Sequence, residues 1–360
     1  MAGAALSLFT DFFTQTTGPA LLSGPDEIIN DAQLRNYEAY DALSRAKKDV
    51  QGGSSIKDVI LFDTNGQATT YLSGAEATVT NTNHLSTISV PWRFVRVPIT
   101  WNEKEIMLNE GGSGDATFQQ FKKLKESKYK AAYTDLYNRL ERLMVAAPSH
   151  SAMEASDGTD PYSIFASVTS DGLAPAGFTT VQGVNPTSQS KWRNQTASYT
   201  ASAPLDSENG VIAAFDEMSQ LVKFKKPSNA ERYFTDSELA SHVILTNKEG
   251  RRLFMKAIRA NNDLTRVGPQ DPSYPDPVFN NIPVRACEAF DDRAVFSAGA
   301  PHYLFLNMNH IKLIFHREKW MQVSAPMSSP TKPDTMVVWV DTWLNVFNCS
   351  RQRHGYVKTV

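Results

Sequence analysis

The sequence predicts an α+β protein, and three observations carry that reading. Runs rich in Val, Ile and Trp that alternate apolar and polar residues mark strands in the first third and towards the end of the sequence. One long stretch, 117–147, instead repeats its apolar residues at helical spacing. Over 360 residues the composition is 41% hydrophobic and 21% charged, which excludes a disordered, collagenous or coiled-coil chain and leaves enough apolar side chains for a sizeable core.

Residues 1–50 form a leader of short helices and turns. Ile28, Ile29, Leu34, Tyr37, Tyr40 and Leu43 recur at helix-like spacing but are too sparse to close a core, so the leader is expected to lie on another surface. Gln51-Gly52-Gly53-Ser54-Ser55 is a flexible break. Ile56–Phe62 reads as a strand, Asp63-Thr64-Asn65-Gly66 as a hairpin turn and Ala68–Leu72 as the return. From Leu85 to Trp101 the chain is strongly β, with an apolar parity that flips between Phe94 and Val95; Pro91 and Pro98 remove ladder donors and favour an edge. Residues 51–101 are therefore expected to form a long β-arm with exposed edges and an exposed Trp92 and Arg93.

Gly111-Gly112-Ser113-Gly114 ends that arm, and Thr117 with Gln120 fits a capping box. Tyr129, Tyr133, Leu136, Leu140, Leu143 and Ala147 then form one stripe of a helix roughly 45 Å long, ended by Pro148. Its other side carries Lys122, Lys123, Lys125, Lys128 and Lys130, for which a solvated face is the simpler reading than a nucleic-acid contact. Residues 148–210 are loop-rich and hold one dense cluster, Lys191-Trp192-Arg193-Asn194-Gln195. Helices are expected at 211–224 and 248–259, a short strand at 243–245 and a stiff loop at 268–277. Strands return from Ile282. Tyr303–Phe315 and Met336–Phe347 are the strongest, the latter with Met336, Val338, Val340, Thr342, Leu344 and Val346 on one face and Trp339, Trp343 and Phe347 on the other.

Charge and chemistry are mostly exclusions. Thirty-six Lys and Arg balance 38 Asp and Glu to a net charge of -2, unlike a dedicated nucleic-acid binder. Cys287 and Cys349 cannot make a disulfide framework or a four-thiolate zinc site and read as free thiols in a reducing compartment. The N-terminus is a poor secretory signal, and no apolar run reaches the length of a membrane span. There is no phosphate-binding loop, dinucleotide fingerprint, nucleophile elbow or His-Glu-x-x-His pair. His302, His310 and His316 could be pictured as metal ligands, but on a strand His310 and His316 share a face with Lys312, which opposes a cation, and no second ligand cluster completes four-coordination. Cys287 with His354 has only residue type behind it as a nucleophile pair, and Asp291-Asp292 beside Arg293 reads as a turn. No cofactor and no catalysis are called for. What stands out is a set of protruding parts that a lone globule does not need.

That combination resembles the major capsid protein of tailed bacteriophages, of the Hong Kong 97 type. Gln51–Ile60 and Val90-Pro91-Trp92-Arg93-Phe94 resemble the start and return of the family's extended loop, and 117–147 its spine helix. Lys191–Gln195 is similar to a tryptophan-arginine-asparagine signature, His302–Asn307 with Ile311-Lys312-Leu313 to a strand pair, and Ser350–Gly355 to a terminal basic segment. The resemblance implies an N-terminal arm (1–50), an extended β-loop (51–101), a peripheral domain (102–200, with spine helix 117–147), an axial domain (201–335) and a return to the peripheral domain (336–360).

It further implies a non-enzymatic shell subunit, assembled in the host cytoplasm into an icosahedral virion capsid of hexamers and pentamers around double-stranded DNA. The leader is too short for a fused scaffolding domain, so a separate scaffolding protein is implied, along with a portal protein. No Lys–Asn cross-link can be assigned. Candidate inter-subunit contacts are Ile28, Tyr37, Trp92, Arg93, Trp192 and Arg193, and candidate DNA-facing residues are Lys122, Lys125, Arg351 and Arg353. The alternatives are an encapsulin-like nanocompartment shell, which shares the fold, a hydrolase with an unrecognised site, and a tail or decoration protein.

Overall fold

A computed structural model describes residues 36–62, 85–102, 115–206, 208–222, 242–260, 276–292, 301–329 and 331–360, with side chains in the long helix from residue 127 onward. The first 35 residues, the 63–72 hairpin, the 103–114 glycine segment, most of the 268–277 loop and the side chains of Lys122 and Lys125 lie outside the described residues.

The longer helices are α1 (Glu38–Arg45), α2 (Asp115–Met144), α3 (Val211–Val222) and α4 (Lys248–Ala260). The strands are β1 (Lys48–Val50), β2 (Ser55–Leu61), β3 (Leu85–Pro91), β4 (Arg93–Asn102), β5 (Gln195–Tyr199), β6 (Val243–Thr246), β7 (Val278–Phe279), β8 (Ile282–Ala286), β9 (Tyr303–Leu306), β10 (Ile311–His316), β11 (Gln322–Val323), β12 (Met327–Ser329), β13 (Lys332–Asn348) and β14 (Gly355–Thr359). The chain is thus α+β, as expected.

The chain forms two compact units. One comprises Met1–Arg35, Ile99–Tyr133 and Pro326–Val337. Within it, β12 pairs antiparallel with the start of β13 (Met327↔Val337, Ser328↔Met336), and the Lys128 ammonium donates to the Thr100 carbonyl at 3.1 Å.

The other unit comprises Asn36–Pro98, Thr134–Ala325 and Val338–Val360. Its first sheet is ordered β1-β10-β13-β11, with β4 also pairing β13. Alternation along β13 buries Val338, Val340, Thr342, Leu344 and Val346, as the period-two pattern requires. Met336, expected on that face, is exposed and belongs to the first unit, which ends at Val337. The second sheet is ordered β5-β14-β9-β6-β8-β7. Helices α3 and α4 cover it with one apolar cluster centred on Phe215, which stacks on Phe254 at 5.0 Å and meets Tyr303 and Phe305 edge-on. The last strand, β14, lies between β5 and β9, so neither residue 200 nor residue 336 marks a break between sheets.

Two boundaries differ from the sequence reading. The apolar parity flips at Trp92–Arg93, where both side chains are buried; thereafter Val95, Val97 and Ile99 are buried while Phe94 and Arg96 are exposed. Residues 93–102 consequently join the β13 sheet, and the arm shrinks to the two-stranded ribbon β2–β3. The second difference is that residues 36–50 belong to the body. Ala39 and Leu43 are fully buried, and β1 runs parallel to β10 (Lys48↔Ile314).

Candidate functional site

Among the described residues, no group of three or more His, Cys, Asp and Glu could hold a metal. Cys287 is buried and donates its thiol to Glu141 at 3.1 Å, and burial pushes its pKa far above the ordinary thiol value. The surfaces that remain are those able to meet another chain.

The β2–β3 ribbon is the clearest. Its register (Ile56↔Val90, Asp58↔Ile88, Leu61↔Leu85) puts Ile56, Ile88 and Val90 on a buried face. The reverse face carries Val59, Leu61 and Leu85, exposed at 58%, 64% and 58%. Apolar residues on both faces of a two-stranded ribbon leave one face in water unless something else covers it. The ribbon root is held: the Trp92 indole donates to the Gly53 carbonyl at 2.9 Å, and Ser89 N–H to the Gln182 carbonyl at 3.1 Å. Gly52 and Gly53 take φ of 76° and 91°, a left-handed turn that disfavours any side chain.

A second surface lies on the outer side of β4 and β13. Phe94, 59% exposed, packs edge-on against Trp343 at 4.8 Å. The Arg96 guanidinium sits over Trp339 at 5.0 Å and pairs with Asp341.

The root of the N-terminal segment is fastened by a contact that sequence reasoning missed. Tyr37, at the N-cap of α1, supplies no side-chain acceptor. Instead the Glu141 carboxylate of α2 accepts the N–H groups of Ala39 at 3.1 Å and Tyr40 at 2.6 Å. This caps α1 from another helix and places a negative charge at the positive end of its dipole. Burial nonetheless holds the Glu141 pKa above the ordinary value. Arg285 completes the clasp with Glu38 at 3.1 Å and Asp41 at 3.4 Å.

The sequence-selected residues divide as follows. Ile28 lies outside the described residues, as do the side chains of Lys122 and Lys125. Tyr37 is half-buried against Tyr137, with ring centroids 5.9 Å apart. The exposure expected of Trp92 and Arg93 is corrected: they are 7% and 3% exposed. Arg93 donates to the Met153 and Ala155 carbonyls at 2.7 and 2.8 Å, because the parity flip turns both side chains inward. Trp192 is 1% exposed and donates to the Val181 carbonyl; Arg193 is half-buried, closing its own loop through the Pro186 and Thr187 carbonyls. Arg351 is also corrected: it is fully buried, not DNA-facing, and desolvation pulls its pKa down to about 10. Arg353, two residues on, is half-exposed.

No protein-family model matches the sequence, and no curated protein matches it either. Solved structures do. The capsid of cyanophage A-1(L) is similar at a TM-score of 0.60 with 12% identity, over 96% of this chain and 98% of that one. The SrpI encapsulin of Synechococcus elongatus PCC 7942 gives 0.55 with 8% identity over 97% and 94%, and the capsid of a native GTA particle 0.53 with 10% identity over 97% and 98%. Identities this low speak for architecture alone, and with near-complete coverage of both chains they establish that this protein has the Hong Kong 97-type capsid fold.

Proposed function

We propose that the chain is a structural subunit that assembles with copies of itself, as hexamers and pentamers, into a closed icosahedral shell around phage double-stranded DNA. The observation that carries this reading is the capsid fold spanning nearly the whole chain. The exposed apolar face of the β2–β3 ribbon supports it, since a face of Val59, Leu61 and Leu85 is one that association would bury. A separate scaffolding protein and a portal protein would be the partners, and the particle would form in the host cytoplasm and persist as the virion capsid. Contact with DNA would be non-specific and electrostatic, with Arg353 and the lysines of α2 as candidates.

A second reading, a nanocompartment shell that packages protein cargo, is favoured by the encapsulin match. Light scattering behind size exclusion, with negative-stain microscopy, tests both. Megadalton particles, alone or with a scaffolding protein supplied, are the expected result, and nuclease-protected DNA inside them separates phage capsid from nanocompartment. A stable monomer under all those conditions would overturn both readings.

A further inference from the structure

We propose that the gap between β5 and β9 is a strand-acceptor site whose ligand is the chain's own segment 349–360, and that the subunit becomes competent to assemble only when that strand is seated. The second clause rests on the shell reading; the first does not.

The topology states the dependence. Strand β14 pairs parallel with β5 (Gly355↔Gln195 to Thr359↔Tyr199) and antiparallel with β9 (Gly355↔Phe305, Val357↔Tyr303). In the order β5-β14-β9-β6-β8-β7, β14 is the one strand among the described residues that holds β5 in the sheet. A strand far along the chain from both of its neighbours therefore closes the sheet. Without it, two facing edges carry unpaired N–H and C=O groups.

The site reads more than backbone. The fully buried Arg351 donates to the carbonyls of Ser167 at 2.7 Å, Leu173 at 2.9 Å and Trp192 at 3.2 Å, and to Asn194 Oδ1 at 3.1 Å. One guanidinium thus ties together acceptors from two separate segments (167–173 and 192–194); the Leu173 carbonyl and Asn194 Oδ1 also accept from Thr169, so its removal falls on the Ser167 and Trp192 carbonyls, which would lose this donor. His354 is also fully buried, and its Nδ1 accepts the Asn307 N–H at 3.2 Å, just past the end of β9. A Cβ added to Gly355 would fall 2.1 Å from Met218 Sδ, so α3 admits only glycine there without shifting. Val357 is fully buried, and Val360 exchanges backbone hydrogen bonds at 2.9 Å with the Tyr199 carbonyl and the Ala201 N–H. The ligand is therefore an extended peptide specified by a guanidinium, an imidazole and a glycine at fixed spacing, followed by an apolar strand.

The test uses the full chain, as wild type and Arg351→Ala, with a fluorescent synthetic peptide of residues 349–360. Capture is read by anisotropy, and seating by amide hydrogen exchange at 195–199 and 303–306. The Arg351→Ala chain, its own strand weakened, should capture the peptide at least about tenfold more than wild type and regain protection at both flanking strands. A peptide carrying Arg351→Ala should fail. One carrying Lys358→Ala, at a half-exposed position, should be captured within about threefold of the parent peptide.

Unchanged protection of β5 and β9 in the Arg351→Ala chain, or equal capture of the Arg351→Ala peptide, would overturn the proposal. If that variant does not fold, wild type in sub-denaturing urea serves instead: β5, β9 and β14 must open as one unit and admit the peptide, and β14 opening alone would refute the site. Light scattering on the same samples reads assembly separately. Seated peptide without particles sinks the link to assembly and leaves the acceptor site standing.

Discussion

Glu141 is the most economical place to break this fold. Its two oxygens accept the Ala39 and Tyr40 N–H groups and the Cys287 thiol, and it is only 4% exposed. Replacing it by alanine leaves two N–H groups at the start of α1 without acceptors. At about 1–3 kcal/mol for each stranded donor, and with a void where the carboxylate lay, a loss of roughly 3–5 kcal/mol is expected. Glu141→Gln keeps one acceptor and turns an NH2 group towards a donor, so about 1.5–3 kcal/mol is expected, the worth of one hydrogen bond to a charged group. The assay is urea denaturation of the unassembled subunit with hydrogen exchange across 38–45. Both variants should lose protection in α1 first, alanine more than glutamine. Stability within about 0.5 kcal/mol of wild type, with α1 still protected in Glu141→Ala, would show that the helix is held by its apolar face alone and that the cap is idle.

The remaining predictions address other links. Deleting residues 1–48 removes α1, leaving Arg285 with Asp276 but without Glu38 and Asp41, and Glu141 with only the Cys287 thiol, so circular dichroism should show a destabilised or unfolded chain rather than a folded subunit that merely assembles poorly. Trp92→Ala should lower subunit and particle melting alike, by about 3–5 kcal/mol, since the indole is buried within one chain. Leu61→Glu, at a 64% exposed site, should leave subunit stability within about 0.5 kcal/mol while abolishing particles in light scattering. Acid should destabilise the subunit below about pH 6.5: burial depresses the pKa of His354 and of His302, so the unfolded chain takes up those protons first. A denaturation midpoint flat from pH 7.5 to 5 would contradict this.

The sequence made some of this legible and hid the rest for identifiable reasons. Helix α2 was readable because Leu136, Leu140 and Leu143 recur on one face, and β13 because five alternate residues enter the core. Ribbon β2–β3 was readable as strands but not as faces. Ile56 and Ile60 on one side and Val59 and Leu61 on the other are equally apolar, and only the packing decides which side stays wet. Trp92 was placed on the surface because Pro91 and Pro98 suggested an edge; the strand is an edge at its root, yet the parity flip still buries the indole. Arg351 looked like a tail cation because its acceptors are main-chain carbonyls some 160–180 residues away, which leave no mark in side-chain identity. Glu141 was invisible for the converse reason: it caps a helix about 100 residues earlier, whereas caps are legible in sequence when they are local.

The ribbon has one more consequence, mechanical in kind. It is a beam held at two points. Its root is clamped by Ile56, Ile88 and Val90 in the core, by the Trp92 indole on Gly53 and by Ser89 on Gln182. Just past the last residue of β2, the Phe62 ring rests edge-on against the buried Trp192 at 5.6 Å. Between these points, from Val59↔Thr87 to Leu61↔Leu85, the paired strands are half-buried or exposed on both faces and, among the described residues, pair with no third strand. Bending stiffness is therefore lowest in that span, about 10 Å of strand. In the proposed shell, with identical chains in rings of five and rings of six, the differences in tilt between neighbours would be absorbed in that short compliant length, and the core of each subunit would stay the same in both.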